Sequence, residues 1–494
     1  MMRPQRHMVT LLNGHNWHGR IFTGTWQVSA GGETVVLEPA TGTELGRVGL
    51  AGSPDVTTSA AQAATAQRDW AATPFPERAA VLRRAGDALQ RHTDELQDWI
   101  VRETGGIPGK AYFELDHAAQ NCYEAAALPS RSLGELLPSS APRLSMVRRV
   151  PAGVVGVIAP FNGPLALAMR SVAPALALGN AVLLKPDPRS AVSGGAVLAA
   201  LFTEAGLPAG VLHVLPGGAD IGAALVEDPH VRVISFTGST TAGRSVAELA
   251  GRHLKRAHLE LGGNSALIVL DDADLDQALS AAAFGSFFYQ GQICMTIGRH
   301  LVHESLYPEY VQRLAATADA LPVGNPATEQ VALGPLIDAG QRDRVHQLVM
   351  SSVAAGARLV AGGTYRDLFY RPTVLADAGP SIPAYEQEVF GPVATVTPFG
   401  TVDDAVKLAS DSEFGLSLGI LTADVARGLA LADRIPTGTA HINDQTINDE
   451  PHAPFGGVSA SGTGARFGGA AANIDAFTET RWITARGDIP RFPF

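Results

Sequence analysis

Between Val150 and Leu270 the chain repeats one pattern: a short apolar run bounded by turn residues, then a segment with apolar residues at helical spacing. The runs are "GVVGVIAP", "NAVLLKP", "VLHVLPG" and "VRVISFTGS". The segments that follow them are "LALAMRSVAPALALG", "AVSGGAVLAALFTEAG", "ADIGAALVEDP" and "TTAGRSVAELAGRH". Short runs without polar alternation are buried on both faces, and strands joined by helical crossovers run parallel. The pattern predicts an α/β fold with a Rossmann-like parallel sheet. Dinucleotides bind at the carboxyl ends of such strands.

The rest of the chain is arranged around this unit. The first 50 residues read as short strands and turns, and from Ser53 the pattern becomes helical, with further helices near 111–127 and 165–179. A second α/β run extends from Ser265 to about residue 455, with strands "HLVHES", "PVATVTPF" and "LSLGILTA" and helices at 310–320, 340–355, 402–410 and 424–434. At 494 residues the chain is too long for one core.

Composition excludes several classes. With 46% hydrophobic and 17% charged residues the chain is not disordered. A formal charge of −11 with no long basic run argues against nucleic acid or an anionic membrane as partner. "MMRPQRHMVTLLNGHNWHGR" has no continuous apolar stretch, so no signal peptide is expected. The most apolar segment is broken by Arg170, Pro174 and Asn180 and does not span a membrane. The two cysteines, Cys122 and Cys294, form no disulfide framework and no metal-ligand spacing, which fits a reducing cytoplasm.

A few residues stand where chemistry is feasible. Cys294, in "YQGQICMTIGRH", follows Gly-Gln at the end of an apolar run, where a turn exposes a side chain; Cys122, in "AAQNCYEAAAL", sits in an amphipathic helix. On base rates a free cysteine is a small buried hydrophobe. Glu260 closes "RAHLELGG" between Leu259 and Leu261, where partial burial raises a carboxyl towards general-base range. Asn162 in "PFNGP" suits a turn. Lys185 ends a strand, and Gly238 and Ser239 stand at a strand-to-helix turn able to face a pyrophosphate.

Seven short motifs occur in order: "PFNGP", "KP" at 185–186, "FTGSTTAG", "ELGG", "GQIC", "EVFGP" and "PFGG". The series resembles the NAD(P)-dependent aldehyde dehydrogenase superfamily over nearly the whole chain. The resemblance implies Cys294 as nucleophile, Glu260 as the base that activates water, and Asn162 as an oxyanion donor. It assigns the cofactor, NAD or NADP, to Phe161, Lys185, Gly238, Ser239, Gly243, Glu388 and Phe390. It also implies a cofactor domain of 1–130 and 150–261 and a catalytic domain of 262–470. A small β bridging element of 131–149 and 471–494 would build a homodimer or homotetramer.

The tail from "NDQTINDEPHAPFGGVSASGTGARFGG" onwards resembles bacterial benzaldehyde and vanillin dehydrogenases, which implies an aromatic aldehyde. Small Gly163 and Ala166, with apolar Ile293, Met295 and Phe455, are the expected substrate pocket. An aliphatic or semialdehyde dehydrogenase is the alternative; a coenzyme A-acylating enzyme is disfavoured by Glu260. Two positions depart from the pattern. Pro188 replaces the acid that excludes a 2′-phosphate, with Arg189 beside it as a potential phosphate ligand, and Arg466 stands where many members carry glutamate.

Overall fold

The apolar runs fold into β1 (Val154–Ile158), β2 (Ala181–Lys185), β3 (Leu212–Val214) and β4 (Val231–Thr237). Together with β5 (Arg256–Glu260) they form a parallel set in the order β5-β4-β1-β2-β3. Every residue of β1, β2 and β3 is buried, because helices cover both faces of the sheet. The early strands join this sheet: Arg20–Phe22 and Trp26–Val28 add an antiparallel hairpin beyond β3, with Phe22 opposite Val214. The structure, a computed structural model, describes residues 10–12 and 14–494. Residues 1–9 and 13, part of the segment read for a targeting signal, lie outside the described residues.

Three helices flank the future site: α1 (Pro108–Ala127), α2 (Pro164–Ala177), which packs on α1, and α3 (Thr240–Arg252). The segment expected as one helix at 191–206 opens with a π-helical turn, Val192–Ala196, before the α-helix Val197–Glu204. The buried carboxylate of Glu103 accepts the Val192 and Ser193 amides there, at 2.8 and 2.7 Å.

The second α/β run forms β6 (Ser265–Val269), β7 (Ile297–His303), β8 (Thr373–Ala376), β9 (Val393–Phe399), β10 (Ser417–Leu421) and β11 (Thr439–Ile442). They are parallel in the order β8-β9-β7-β6-β10-β11, and Arg358–Ala361 adds an antiparallel edge to β8. Helices α4 (Leu275–Phe287) and α5 (Ala339–Ala354) cover it. A three-stranded antiparallel sheet pairs Leu144–Pro151 with Gly134–Leu136 on one side and Thr478–Ala485 on the other. Among the described residues no helix is long and apolar enough to cross a membrane.

Candidate active site

Loops at the carboxyl ends of β1, β2, β4 and β5 converge on a cleft of about 520 Å³. Phe161, Asn162, Lys185, Gly238, Ser239, Leu261 and Gly262 line it from the first sheet, and Cys294, Glu388 and Phe390 from the second. The position follows the rule for doubly wound sheets.

Cys294 is delivered by an irregular loop after α4. Tyr289 and Gln290 are both left-handed, at φ 51° and 54°, a conformation that costs non-glycine residues energy and persists only where surroundings hold it. Gln290 Nε2 donates to the carbonyls of Gly105 and Pro335, at 3.0 and 2.8 Å. Asn162 Nδ2 donates to the Gln292 carbonyl at 2.9 Å, so the two loops are joined directly beside the thiol. A primary amide carries two N–H groups, and the second remains for another acceptor.

The glycines of "ELGG" leave space for this meeting. A Cβ on Gly262 would overlap the Glu388 carboxylate, and one on Gly263 would lie 2.5 Å from the Cys294 carbonyl oxygen. The thiol is partly exposed and lines the cleft, as the turn after Gly-Gln implies, but its surroundings are closely packed. Burial pushes the Cys294 thiol up to about 12, opposed first by the charge of Arg170. Cys122 is fully buried, and burial raises its thiol further still.

Glu260, the last residue of β5, is 2% exposed. Burial pushes its carboxyl up to about 8, against the charges of Arg170 and Arg466. Among the described residues neither of its oxygens finds a hydrogen-bond partner. A Cβ on Gly456 would lie 2.7 Å from Glu260 Oε1 and 2.9 Å from Arg466 Cδ, so this glycine forms the floor between them. Arg466 itself is anchored through Nη1 to the carbonyls of Gly457 and Ala465.

The cofactor candidates separate. Lys185 is buried, and its Nζ donates to the Gly217 carbonyl at 2.6 Å. Ser239 caps α3 through its Oγ. Glu388 accepts the Gly263 amide at 3.0 Å, and burial pushes its carboxyl up to about 7. Phe161 and Phe390 meet edge to face with centroids 5.9 Å apart.

Gly243 is a correction. It is buried under Leu261, whose side chain a Cβ would overlap, so it serves helix–strand packing and does not line the cleft. Arg189 is another. Its guanidinium is held by Asp187 at 2.8–2.9 Å and Asp338 at 2.6 Å, and it lies 4.3 Å from the Phe161 ring centroid. Three of its five N–H groups are engaged in this way, which weighs against a role as phosphate ligand. Burial works against the Asp187 carboxylate, but the Arg189 hydrogen bonds and charge hold it below its ordinary range.

Of the expected pocket, Met295, Phe455 and Ile293 gather with Leu416, Ile447 and Cys294 in one apolar cluster. Gly163 and Ala166 do not join it; they form the first turn of α2, with Gly163 against Leu167 and the Ala166 amide on Glu114. The sequence reading missed Arg170. It is 3% exposed, pairs with Asp449 at 3.1 Å, and lies 4.8 Å from the Phe455 ring centroid. His117 Nε2 is 3.6 Å from the same Asp449 oxygen. An arginine inside an otherwise apolar helix was the available signal, since a buried charge requires a partner.

Cys294 and Asn162 line a dinucleotide-type cleft, with the buried Glu260 closing the strand beside it, the arrangement expected of an aldehyde-oxidising enzyme. Residues 26–483 match the family model described as "Aldehyde dehydrogenase family", and the chain belongs to that family. It is 74% identical to a vanillin dehydrogenase from Amycolatopsis sp., over 98% of this chain and 100% of that protein. It is 50% identical to the NAD(+) benzaldehyde dehydrogenase of Pseudomonas putida, over 97% and 98%. The fold superposes on a salicylaldehyde dehydrogenase from Pseudomonas putida G7, solved with salicylaldehyde, with TM-score 0.92, 35% identity and coverage of 96% and 99%.

Proposed function

We propose that this chain oxidises aromatic aldehydes to carboxylic acids with NAD through a thioester on Cys294. The observation that carries the reading is the meeting of Cys294 and Asn162 at the end of the cleft, with Ile293, Met295 and Phe455 beside the thiol. The names of the relatives above, each an aromatic aldehyde dehydrogenase, support the substrate class.

The cleft fits a dinucleotide. It is largely apolar, with Lys185 at one strand end, the Ser239 helix cap at another, and the Glu388 carboxylate close to Cys294. NAD, when bound there, takes up the hydride. The chain's own residues do the rest. The Cys294 thiol releases its proton to solvent and the sulfur, as thiolate, adds to the carbonyl carbon, while the free N–H of Asn162 donates to the oxygen that becomes negative. Removal of hydride leaves a thioester on Cys294. Glu260 takes a proton from water, the resulting hydroxide attacks the thioester, and the acid leaves with the thiolate restored.

The division into a cofactor domain (1–130 and 150–261), a catalytic domain (262–470) and a bridging element (131–149 and 471–494) belongs to the same reading. So do a homodimer or homotetramer, supported by exposed Leu136, Leu144 and Trp482 on the three-stranded sheet, and work in the cytoplasm. The test is NADH release from an aldehyde panel. Benzaldehyde and vanillin are expected to exceed acetaldehyde and succinic semialdehyde in kcat/KM without coenzyme A. The reverse order, or dependence on coenzyme A, would refute the reading.

A further inference from the structure

The buried ion pair Lys110–Glu114 takes no part in the steps above, yet it touches both loops that carry them. We propose that Lys110 and Glu114 are positioning residues that set the Asn162 amide against Cys294, acting on thioester formation through Asn162. This rests on the reading of Asn162 as the oxyanion donor.

Glu114 is 2% exposed near the middle of α1. Its Oε1 accepts the Leu165 amide at 2.7 Å and the Ala166 amide at 3.3 Å. These are first-turn amides of α2, which have no partner inside the helix. The cap residue, Gly163, has no side chain to supply one. A carboxylate is also the group that the positive end of the helix favours. Asn162 immediately precedes that cap, so the clamp on Leu165 and Ala166 fixes where Asn162 starts.

The other oxygen of Glu114 holds the opposite loop. Oε2 accepts Lys110 Nζ at 2.5 Å, and that ammonium lies 4.3 Å from the Tyr289 ring centroid. Burial works against the charge of Lys110, but Glu114 holds its ammonium above the ordinary range. Tyr289 opens the left-handed pair that leads to Cys294, and its hydroxyl donates to the Thr104 carbonyl at 3.3 Å. There is little slack: a Cβ on Gly106 would lie 2.9 Å from Lys110 Cδ and 3.2 Å from Tyr289 Cε2. One carboxylate thus grips the Asn162 loop directly and the Cys294 loop through Lys110. A buried ion pair adds little stability over an apolar pair of similar shape, whereas this one meets the hydrogen-bonding demand of a helix start and braces a strained turn.

The experiment is a double-mutant cycle on the rate constant of NADH formation in the first turnover, which is the burst where one is seen, with benzaldehyde at saturating NAD. Glu114→Gln is expected to slow the burst about tenfold with the KM for benzaldehyde within about threefold, and by no more than about threefold in an Asn162→Ala background, where only the brace on the Cys294 loop is left to lose. A purely structural role predicts equal slowing in both backgrounds, and that result, or an unchanged burst in Glu114→Gln, would overturn the proposal. Should Glu114→Gln fail to fold, Lys110→Met takes its place in the cycle. Lys110→Arg, which keeps the cation, is then expected to restore the burst, and failure to restore it would count against the proposal. A wild-type enzyme giving no NADH with any aldehyde would defeat the functional reading itself, whereas an active wild type with additive effects defeats this inference alone.

Discussion

The side-chain amide of Asn162 donates to the backbone carbonyl of Gln292, two residues before Cys294, at 2.9 Å. One N–H orients the amide and leaves the other for the substrate oxygen. Asn162→Ala is therefore expected to lower kcat by about a hundredfold to a thousandfold, the usual loss for one oxyanion donor. Stopped-flow NADH formation checks it: the burst itself should slow. A burst of normal rate with only the steady state reduced would place Asn162 after hydride transfer.

Glu260 gives the reaction a pH dependence. Burial raises its carboxyl to about 8, so near neutrality most of it is protonated and cannot accept a proton from water. Thioester hydrolysis is expected to accelerate as pH rises through about 8 and then level off. Where hydrolysis limits turnover, kcat follows the same curve. Glu260→Gln should abolish that limb while the burst survives. A hydrolysis rate that is flat from pH 6 to about 10, about two units either side of the transition, would contradict this assignment.

Arg170 ties substrate pocket, nucleophile and base together. Its charge opposes the burial shifts of both Cys294 and Glu260. Arg170→Met is expected to move the burst's pH profile to higher pH. It also leaves Asp449 buried without its cation, a change that costs about 3–5 kcal/mol. Thermal unfolding should show that loss, with most of it recovered in Arg170→Met/Asp449→Asn. A single variant as stable as the parent, with an unmoved profile, would show that Arg170 is not electrostatically engaged.

The parallel sheet, the helices of the second α/β run and the cleft at the strand ends were legible because burial on both faces leaves a plain periodic signal. Cys294, Glu260 and Asn162 stood out only through the order of the motifs that carry them, since residue type alone favours a buried filler, a surface acid and a turn former. Lys110 and Glu114 were not legible: a charged pair spaced i to i+4 on a helix carries no mark in one dimension that tells a buried pair from a solvated one, and only tertiary packing turns them inwards. Gly243 was misread because a glycine near a phosphate turn and a glycine under Leu261 look alike in one dimension. The strain at Tyr289 and Gln290 leaves no mark in residue type.

Cofactor choice tests the corrected role of Arg189. The sequence suggested NAD with measurable NADP use, because Pro188 carries no charge to repel a 2′-phosphate and Arg189 could attract one. The Arg189 guanidinium, however, already pairs with Asp187 and Asp338. NAD is expected to be preferred, and Arg189→Ala should leave the NAD to NADP ratio of kcat/KM within about twofold. A guanidinium that binds a 2′-phosphate contributes about 1.5–3 kcal/mol, so its loss would instead cut NADP use at least about tenfold.

The central claim is a thioester on Cys294 that Glu260 clears. The most direct measurement is mass spectrometry of Glu260→Gln quenched just after its NADH burst with benzaldehyde. The expected result is one benzoyl group per chain on the peptide carrying Cys294, none on the peptide carrying Cys122, and no label at all in Cys294→Ala. A benzoyl group elsewhere, an unlabelled Cys294 peptide after a full burst, or turnover by Cys294→Ala would contradict the account.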